Sequence, residues 1–519
     1  MNVLFVIIAI LFLTVLMVAI GDRIGLPWPV LLTLIAALAM IIPGVPSVAV
    51  PSDMILPLFL PPLLWALARR TSWSVIRAQL STVVLLSVLL VFITTITVGA
   101  VAYMLLPGAS IAAALLLGAA LAPPDPVAVD AVAEPVGMPR RIISTLQTEG
   151  LFNDAASIVA FNAALGALNA GENPSLANGL LNFLYAATLA LVLGLVIGTL
   201  FAFLLDWIAS TVARNALTWV IPFLTYIVAE EIHASGVIAI VIAAVQLNSR
   251  AATRAADRLT GHSFWETIEM LFTGLAFGLI GLSVRDATNL VGTGLWHAVW
   301  VGLVLSAVLI VVRFAWMWLF LQLNRARGNT RLAPTSAKEV LVMTWCGMRG
   351  LVTLALVLAA PIGLFGDSRE FAVIALVVLL CTMVVPGLTL PALMKVLRLS
   401  KEAAAREDRA RERLVRRAHS AAIGVIERHA REFRAEMSEE TVNGLRQWLS
   451  ERTGMDIRES SIAEVRGNRR RAAEVRREAL QAAQRELLAA RREPGVDPAM
   501  VDEVLETIDL RIVANASQH

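Results

Sequence analysis

Between Asn2 and Leu397 the sequence is a succession of apolar runs, each close to the length a helix needs to cross hydrocarbon. They lie at 2–20, 26–43, 52–68, 78–105, 109–131, 141–169, 181–205, 216–233, 236–248, 266–283, 292–320, 337–361 and 371–397, which makes about thirteen membrane spans. Composition agrees: 58% of the 519 residues are hydrophobic and 16% are charged, with a mean hydropathy of +0.74. More than half of the charged residues fall after Leu399. The chain therefore divides into a membrane part, residues 1–399, and a charged tail, residues 400–519. The first run has no basic segment before it and no clear small-residue cleavage site, and many further spans follow. It reads as a transmembrane helix and not as a signal peptide.

The loops carry charge asymmetrically. One set holds Arg69, Arg70 and Arg77, then Arg140 and Arg141, Arg214, Arg250, Arg254 and Arg258, and finally Arg325, Arg327 and Arg331. The alternate set (PGVPSVAVPSD, PGAS, GENPSL and GLFGDSRE) is nearly free of basic residues. The positive-inside rule places the basic set in the cytoplasm. The N-terminus is then outside, the tail is cytoplasmic, and an odd number of spans is required.

Two spans are interrupted. In the fifth, Pro123, Pro124 and Pro126 surround Asp125; in the twelfth, Gly347 and Gly350 flank Arg349. Proline removes an intrahelical hydrogen bond and crowds the preceding turn. Backbone freed in this way survives at membrane depth only where protein or a water-filled cavity satisfies it. The offset between these spans relates the first six to the last six with inverted topology, with the seventh as connector. Secondary transporters built on such repeats place their site at broken helices near the bilayer midplane. The predicted fold is therefore an all-α membrane protein with inverted repeats and two broken crossing helices, followed by a helical tail.

The sixth span contains EGLFND, with Glu149, Asn153 and Asp154 where hydrocarbon favours apolar side chains. Intramembrane carboxylates face a bundle interior, an ion path or a partner charge. On a continuous helix Glu149 and Asn153 share a face, and Asp154 borders it. Asp130 lies near the fifth-span break, and Arg313 is an isolated charge in the eleventh span. Arg313 and Arg349 each need an acid, a carbonyl or water nearby. Cys346 and Cys381 sit in apolar spans and have no disulfide or metal spacing. With a net charge of +3 and Arg mixed among acids in the tail, nucleic-acid binding has no support. The tail contains no nucleotide loop, metal cluster or catalytic dyad. It reads as helices over about 401–437, 456–492 and 498–514, broken at Pro494, Gly495 and Pro498. No enzyme chemistry and no cofactor are expected.

A carboxylate in a water-accessible cavity holds a small cation or a proton, but not comfortably both, because a bound cation favours the ionised form. If the cavity opens to one side at a time, this competition produces exchange. Asp154 is the candidate carboxylate. Asn153 either offers an amide oxygen to the cation or holds a helix break, and Asp125 shapes the site, so transient Na+ binding falls to Asp154, Asn153 and Asp125. Glu149 and Arg313 are expected to form a buried structural pair, and Arg349 to compensate charge at the twelfth-span break. One exchangeable carboxylate beside an Asn suggests one proton per monovalent cation.

On these residues the chain resembles the NhaP- and NHE-like cation/proton antiporters, over about residues 5–398. The most specific match is Glu149, Asn153 and Asp154, since the family carries an Asn-Asp pair one turn after a Glu. Asp125 and Pro126 match the family's Thr-Asp-Pro, Arg313 its eleventh-span Arg, Gly347 to Gly350 its twelfth-span motif, and Glu230 with Gly236 its eighth and ninth spans. Two departures each remove a side-chain ligand: Pro124 stands where the family has Thr, and Gly150 where several members have Ser. The resemblance implies a homodimer whose six-helix core moves against a dimerisation domain. It implies electroneutral exchange of Na+, with Li+ as a second cation, against H+ across a bacterial plasma membrane for pH and sodium homeostasis. A K+/H+ antiporter and a non-transporting pH- or cation-sensing membrane protein are the alternatives. Expected partners are the lipid bilayer, a second copy of the chain and a cytoplasmic regulator at the tail.

Overall fold

A computed structural model describes residues 2–39, 52–133, 136–171, 176–250, 255–291, 294–326, 328, 333–360, 369–432, 469–491, 493 and 496–516. Loop residues 43–51, 172–175 and 361–368, Arg254, Arg327, Arg331, Pro494, Gly495 and the beginning of the expected second tail helix lie outside them. Among the described residues no strand occurs.

The membrane part opens with α1 (Asn2–Ile24), α2 (Trp28–Ala39) and α3 (Ser52–Ala68). The short α4 (Trp73–Ala78) leads into α5 (Leu80–Leu105). The fifth span is two helices, α6 (Ile111–Leu121) and α7 (Pro126–Ala133). So is the sixth, as α8 (Arg140–Gly150) and α9 (Asn153–Ala170). Then come α10 (Leu176–Trp207), α11 (Thr211–Glu231), α12 (Gly236–Arg250), α13 (Ala255–Val291) and α14 (Leu295–Ala326). The twelfth span is α15 (Ala337–Trp345) and α16 (Leu351–Ala359), and α17 (Glu370–Leu397) is the last. The tail forms α18 (Leu399–Glu432), α19 (Arg469–Ala490) and α20 (Pro498–Ala516).

Among the described residues, each predicted span overlaps a helix or a pair of helices. Eight helices among the described residues are long and apolar enough to cross a bilayer by length and composition, and α2, α3 and α12 are shorter apolar helices. The protein is a multi-pass helical membrane protein. Ends are set by local chemistry. Ser110, Ser210 and Ser336 accept the backbone N–H three residues on, each at 3.3 Å, which satisfies one of the orphan donors of a first turn. The weak break between the eighth and ninth spans is real: His233 turns left-handed at φ 59°, and Glu230 accepts from Gly236 N–H at 3.3 Å across it.

Apolar lipid gives membrane helices no hydrophobic drive toward each other, so close backbone approach at small residues holds them. A Cβ at Gly194 or Gly198 of α10 would sit 2.7 Å from the Ala239 carbonyl or 2.6 Å from the Ala243 carbonyl of α12. Packing sorts the helices into two bodies. One is built from α1, α2, α3, α10, α11, α12 and α13, the other from α5 to α9 and α14 to α17, and α13 on α17 and α3 on α16 pack across the boundary between them. All three split spans belong to the second body.

The tail has its own apolar core, built from Leu414, Ile426, Val475, Leu480, Leu487, Val501 and Leu505. Its helices are amphipathic and not solvated all round. It docks on the membrane part through Arg258, which forks onto Asp509 with both bonds at 2.6 Å, and through Arg140, which reaches Glu503 at 2.7 Å.

Candidate ion-binding site

The two broken spans meet at their breaks. The Asp125 N–H donates to the Met348 carbonyl at 2.7 Å, joining one interruption to the other. Both half-helix ends of the fifth span are matched by charge. Asp125 accepts from the N–H groups of Val127 at 2.9 Å and Ala128 at 3.4 Å, and so caps the positive start of α7. Arg349 donates to the Leu121 carbonyl at 2.8 Å, at the negative end of α6, and to its neighbour Gly347 at 2.6 Å. The sequence placed Arg349 at the twelfth-span break; in the fold it completes the fifth. Glycine makes the approach feasible, because a Cβ on Gly350 would overlap the Asp125 carboxylate.

The sixth span is not the continuous helix expected from its apolar length. Leu151 and Phe152 form a turn between α8 and α9, so Glu149 ends one helix while Asn153 and Asp154 begin the next. They do not share a face in the i,i+4 sense. Beside this turn the neighbouring span comes close, and Pro126 lies where any Cβ on Gly150 would overlap its ring. This also accounts for Gly150, whose lack of a side chain is required by packing.

The interruption separates the polar groups by role. Arg313 forks onto Glu149 at 2.6 and 2.9 Å and donates through Nε to the Met343 carbonyl at 3.0 Å. Glu149 is 1% exposed and Arg313 3% exposed, so the pair is dry and ties α8, α14 and α15 together. A Cβ on Gly347 would overlap the Arg313 stem. Asn153 donates to the Pro124 carbonyl at 2.6 Å, holding the fifth-span break, while its own Oδ1 is buried without a hydrogen-bond partner. Asp130 holds Gln147 of α8 at 2.9 and 3.1 Å.

Asp154 is different. Its carboxylate makes no hydrogen bond or ion pair among the described residues, and it is 5% exposed. It lines a cavity of about 30 Å³ together with Asp125, room for a water-sized occupant or two. Glu149, Arg313 and Asn153 are not on that lining. The walls come from both bodies: Leu60, Leu63, Leu64 and Leu67 of α3 and Thr273 and Phe277 of α13 face Pro124, Asp125, Asp154 and Thr353. The hydroxyl oxygens of Thr273 and Thr353 are buried and unpartnered. Neither threonine stood out in the sequence, because a lone Thr in an apolar run usually bonds back to its own helix.

A separate, larger cavity of about 1550 Å³ is lined by Ala66, Arg69 and Trp265 and by the tail residues Asp502, Glu503, Glu506 and Asp509. Arg69 donates to the Gly261 carbonyl at 2.7 Å and lies over the Trp265 ring. Burial, with the adjacent Arg70 charge second, lowers its pKa to about 10, which leaves it charged at neutral pH. Among the described residues no group of three or more His, Cys, Asp or Glu has the arrangement of a resident metal site.

These features define a class: a membrane protein with paired broken helices and an unpartnered carboxylate at their crossing. Residues 8–396 match the family described as sodium/hydrogen exchanger, transmembrane, and the chain belongs to that family. It is 30% identical over 380 residues to the Na(+)/H(+) antiporter ApNhaP of Aphanothece halophytica, covering 72% of this chain and 71% of that one. It is 30% identical over 414 residues to an uncharacterized Na(+)/H(+) exchanger of Mycobacterium bovis, covering 77% and 75%. A sodium, potassium, lithium and rubidium/H(+) antiporter of Bacillus pumilus is 28% identical over 390 residues, covering 71% and 58%. Among solved structures, the sodium proton antiporter MjNhaP1 of Methanocaldococcus jannaschii superposes with a TM-score of 0.59 at 20% identity, covering 77% of this chain and 99% of that one. That likeness concerns the fold alone.

Proposed function

We propose that the protein exchanges a monovalent cation, Na+ with Li+ as a second substrate, for H+ one for one by alternating access. The observation that carries this reading is the Asp154 carboxylate, which lines a small cavity at the crossing of two broken helices and has no hydrogen-bond or ion-pair partner among the described residues. Such a group takes a proton or a cation in turn. Asp125 adds charge to the cavity and is committed to capping α7. Asn153 holds the break, and Glu149, Arg313 and Arg349 keep the crossing rigid. The cavity lies between the two helix bodies, so sliding one past the other would change the side to which it opens.

Further features support the setting. The tail docks on the face that carries Arg140 and Arg258, in keeping with a cytoplasmic tail, an external N-terminus and a bacterial plasma membrane. Broad exposed apolar faces, such as Phe5, Ile8 and Phe12 of α1 and Val196, Leu200 and Phe203 of α10, suit lipid and the partner of a homodimer. Residues 1–399 would be the exchanging unit and residues 400–519 a docked cytoplasmic domain open to a regulator. Potassium is the second reading for the cation, favoured by the relative named for sodium, potassium, lithium and rubidium.

Purified protein in liposomes carrying an internal pH dye tests the reading. An imposed sodium gradient should move protons, at an unchanged rate when an electrical leak is added, and Asp154→Asn should stop the movement. Full exchange by Asp154→Asn would sink it. A response to potassium but not to sodium would select the second reading.

A further inference from the structure

We infer that Thr273 and Thr353 are cation ligands, and that their hydroxyls complete the oxygen shell left short by Pro124. The inference rests on the proposed exchange and names further groups that handle its cation.

A small cation leaving water must recover the lost hydration from oxygen atoms of the site. The groups expected to supply them are largely occupied elsewhere. Position 124 is a proline, which has no side-chain oxygen, and its carbonyl accepts from Asn153 at 2.6 Å. Position 150 is a glycine with no room for a larger residue. Asp125 Oδ1 serves the N–H groups of α7. Asp154 alone would be a poor substitute for a hydration shell.

The cavity offers two more oxygens. Thr273 is 2% exposed and Thr353 1% exposed, both line the cavity with Asp154, and neither Oγ1 has a hydrogen-bond partner. A buried hydroxyl without a partner is costly, and most helical threonines avoid that cost by bonding back one turn, as Thr344 does to Val340 at 2.7 Å. Thr353 sits in the first turn of α16, next to the break, where no regular turn precedes it. Thr82 and Thr95 are also unpartnered, but they lie on α5 away from this cavity. Among the described residues, only at Thr273 and Thr353 does the unmet hydroxyl coincide with a cavity that Asp154 also lines.

Their positions differ in consequence. Thr353 belongs to the body that carries Asp154 and would accompany the ion through the cycle. Thr273 belongs to the opposite body, so its contact would exist in only part of the cycle.

Thr273→Val and Thr353→Val keep the side-chain shape and remove the oxygen; the corresponding Ser variants keep the oxygen. Two readouts are needed. One is the sodium dependence of exchange in liposomes. The other is the rise in melting temperature of the purified protein on adding sodium, lithium or potassium chloride over choline chloride. Thr353→Val should raise the KM for sodium about tenfold, the scale of one lost charge–dipole contact. The Ser variants should restore the KM. In both Val variants the melting temperature without sodium should hold or rise, since no partner is lost, while the sodium-induced rise shrinks and the lithium, sodium and potassium responses change in ratio. Wild-type KM and ion ratios in both Val variants would overturn the inference and leave the exchange reading intact. Absence of any cation-induced rise in the wild type would also overturn it. A sodium-induced rise that the Val variants lose, in a protein that drives no exchange, would uphold the ligands and remove the transport reading.

Discussion

Glu149 and Asp154 are carboxylates in one span with opposite surroundings. Glu149 meets a guanidinium fork and is dry; Asp154 meets a cavity and nothing charged to complement it. Removing one member of a buried pair leaves an uncompensated charge in low dielectric, which costs on the order of 3–5 kcal/mol. Glu149→Gln should therefore lower stability by that order in detergent unfolding, and the double variant with Arg313→Met should recover much of the loss. Asp154→Asn has no partner to strand and should melt close to wild type while failing to exchange. The division was partly legible. An acid and an isolated Arg in separate apolar spans call for each other, and the sequence named both. Thr273 and Thr353 were not legible, because a hydroxyl becomes notable only when the fold denies it a carbonyl.

At the scale of elements, the crossing is set by small residues as much as by charges. Gly350 admits the Asp125 carboxylate, Gly150 admits Pro126, and Gly347 admits the stem of Arg313. Gly350→Ala should displace Asp125, uncap α7 and reduce exchange to near background, with the protein still folded by size-exclusion chromatography; exchange at the wild-type rate would contradict the assigned close approach. Prolines and paired glycines announced two of the interruptions in the sequence itself. The third, at Leu151 and Phe152, was read as continuous helix. It lies beside a proline of another span packed on Gly150, and a tertiary contact leaves no periodicity to read. The membrane-helical character was legible because hydrocarbon thickness sets a minimum length for each apolar run.

At the scale of the molecule, helices of both bodies line the cavity that holds Asp154, and tail residues line the larger chamber. The tail was legible as helical, but its core was not. Many of its buried positions are alanines, including Ala418, Ala422, Ala479 and Ala483, which mark a face only weakly. Asp509, 1% exposed, ties this core to the membrane part through Arg258 and also accepts from Gln484 at 2.7 Å. Asp509→Ala should weaken docking by about 1.5–3 kcal/mol, the scale of a charge-assisted hydrogen bond. Limited proteolysis should then cut within residues 400–519 faster than in wild type. If the cleavage rate is unchanged, the Arg258–Asp509 contact does not hold the tail.

The claim on which the rest depends is that one carboxylate holds either a proton or a cation. Purified protein in weakly buffered solution tests it through the protons released as sodium chloride is added, measured beside the sodium bound. The account predicts close to one proton released per sodium bound, an apparent sodium affinity that weakens as the pH is lowered, and no release from Asp154→Asn. Sodium binding without proton release, or the same release from Asp154→Asn, would contradict it.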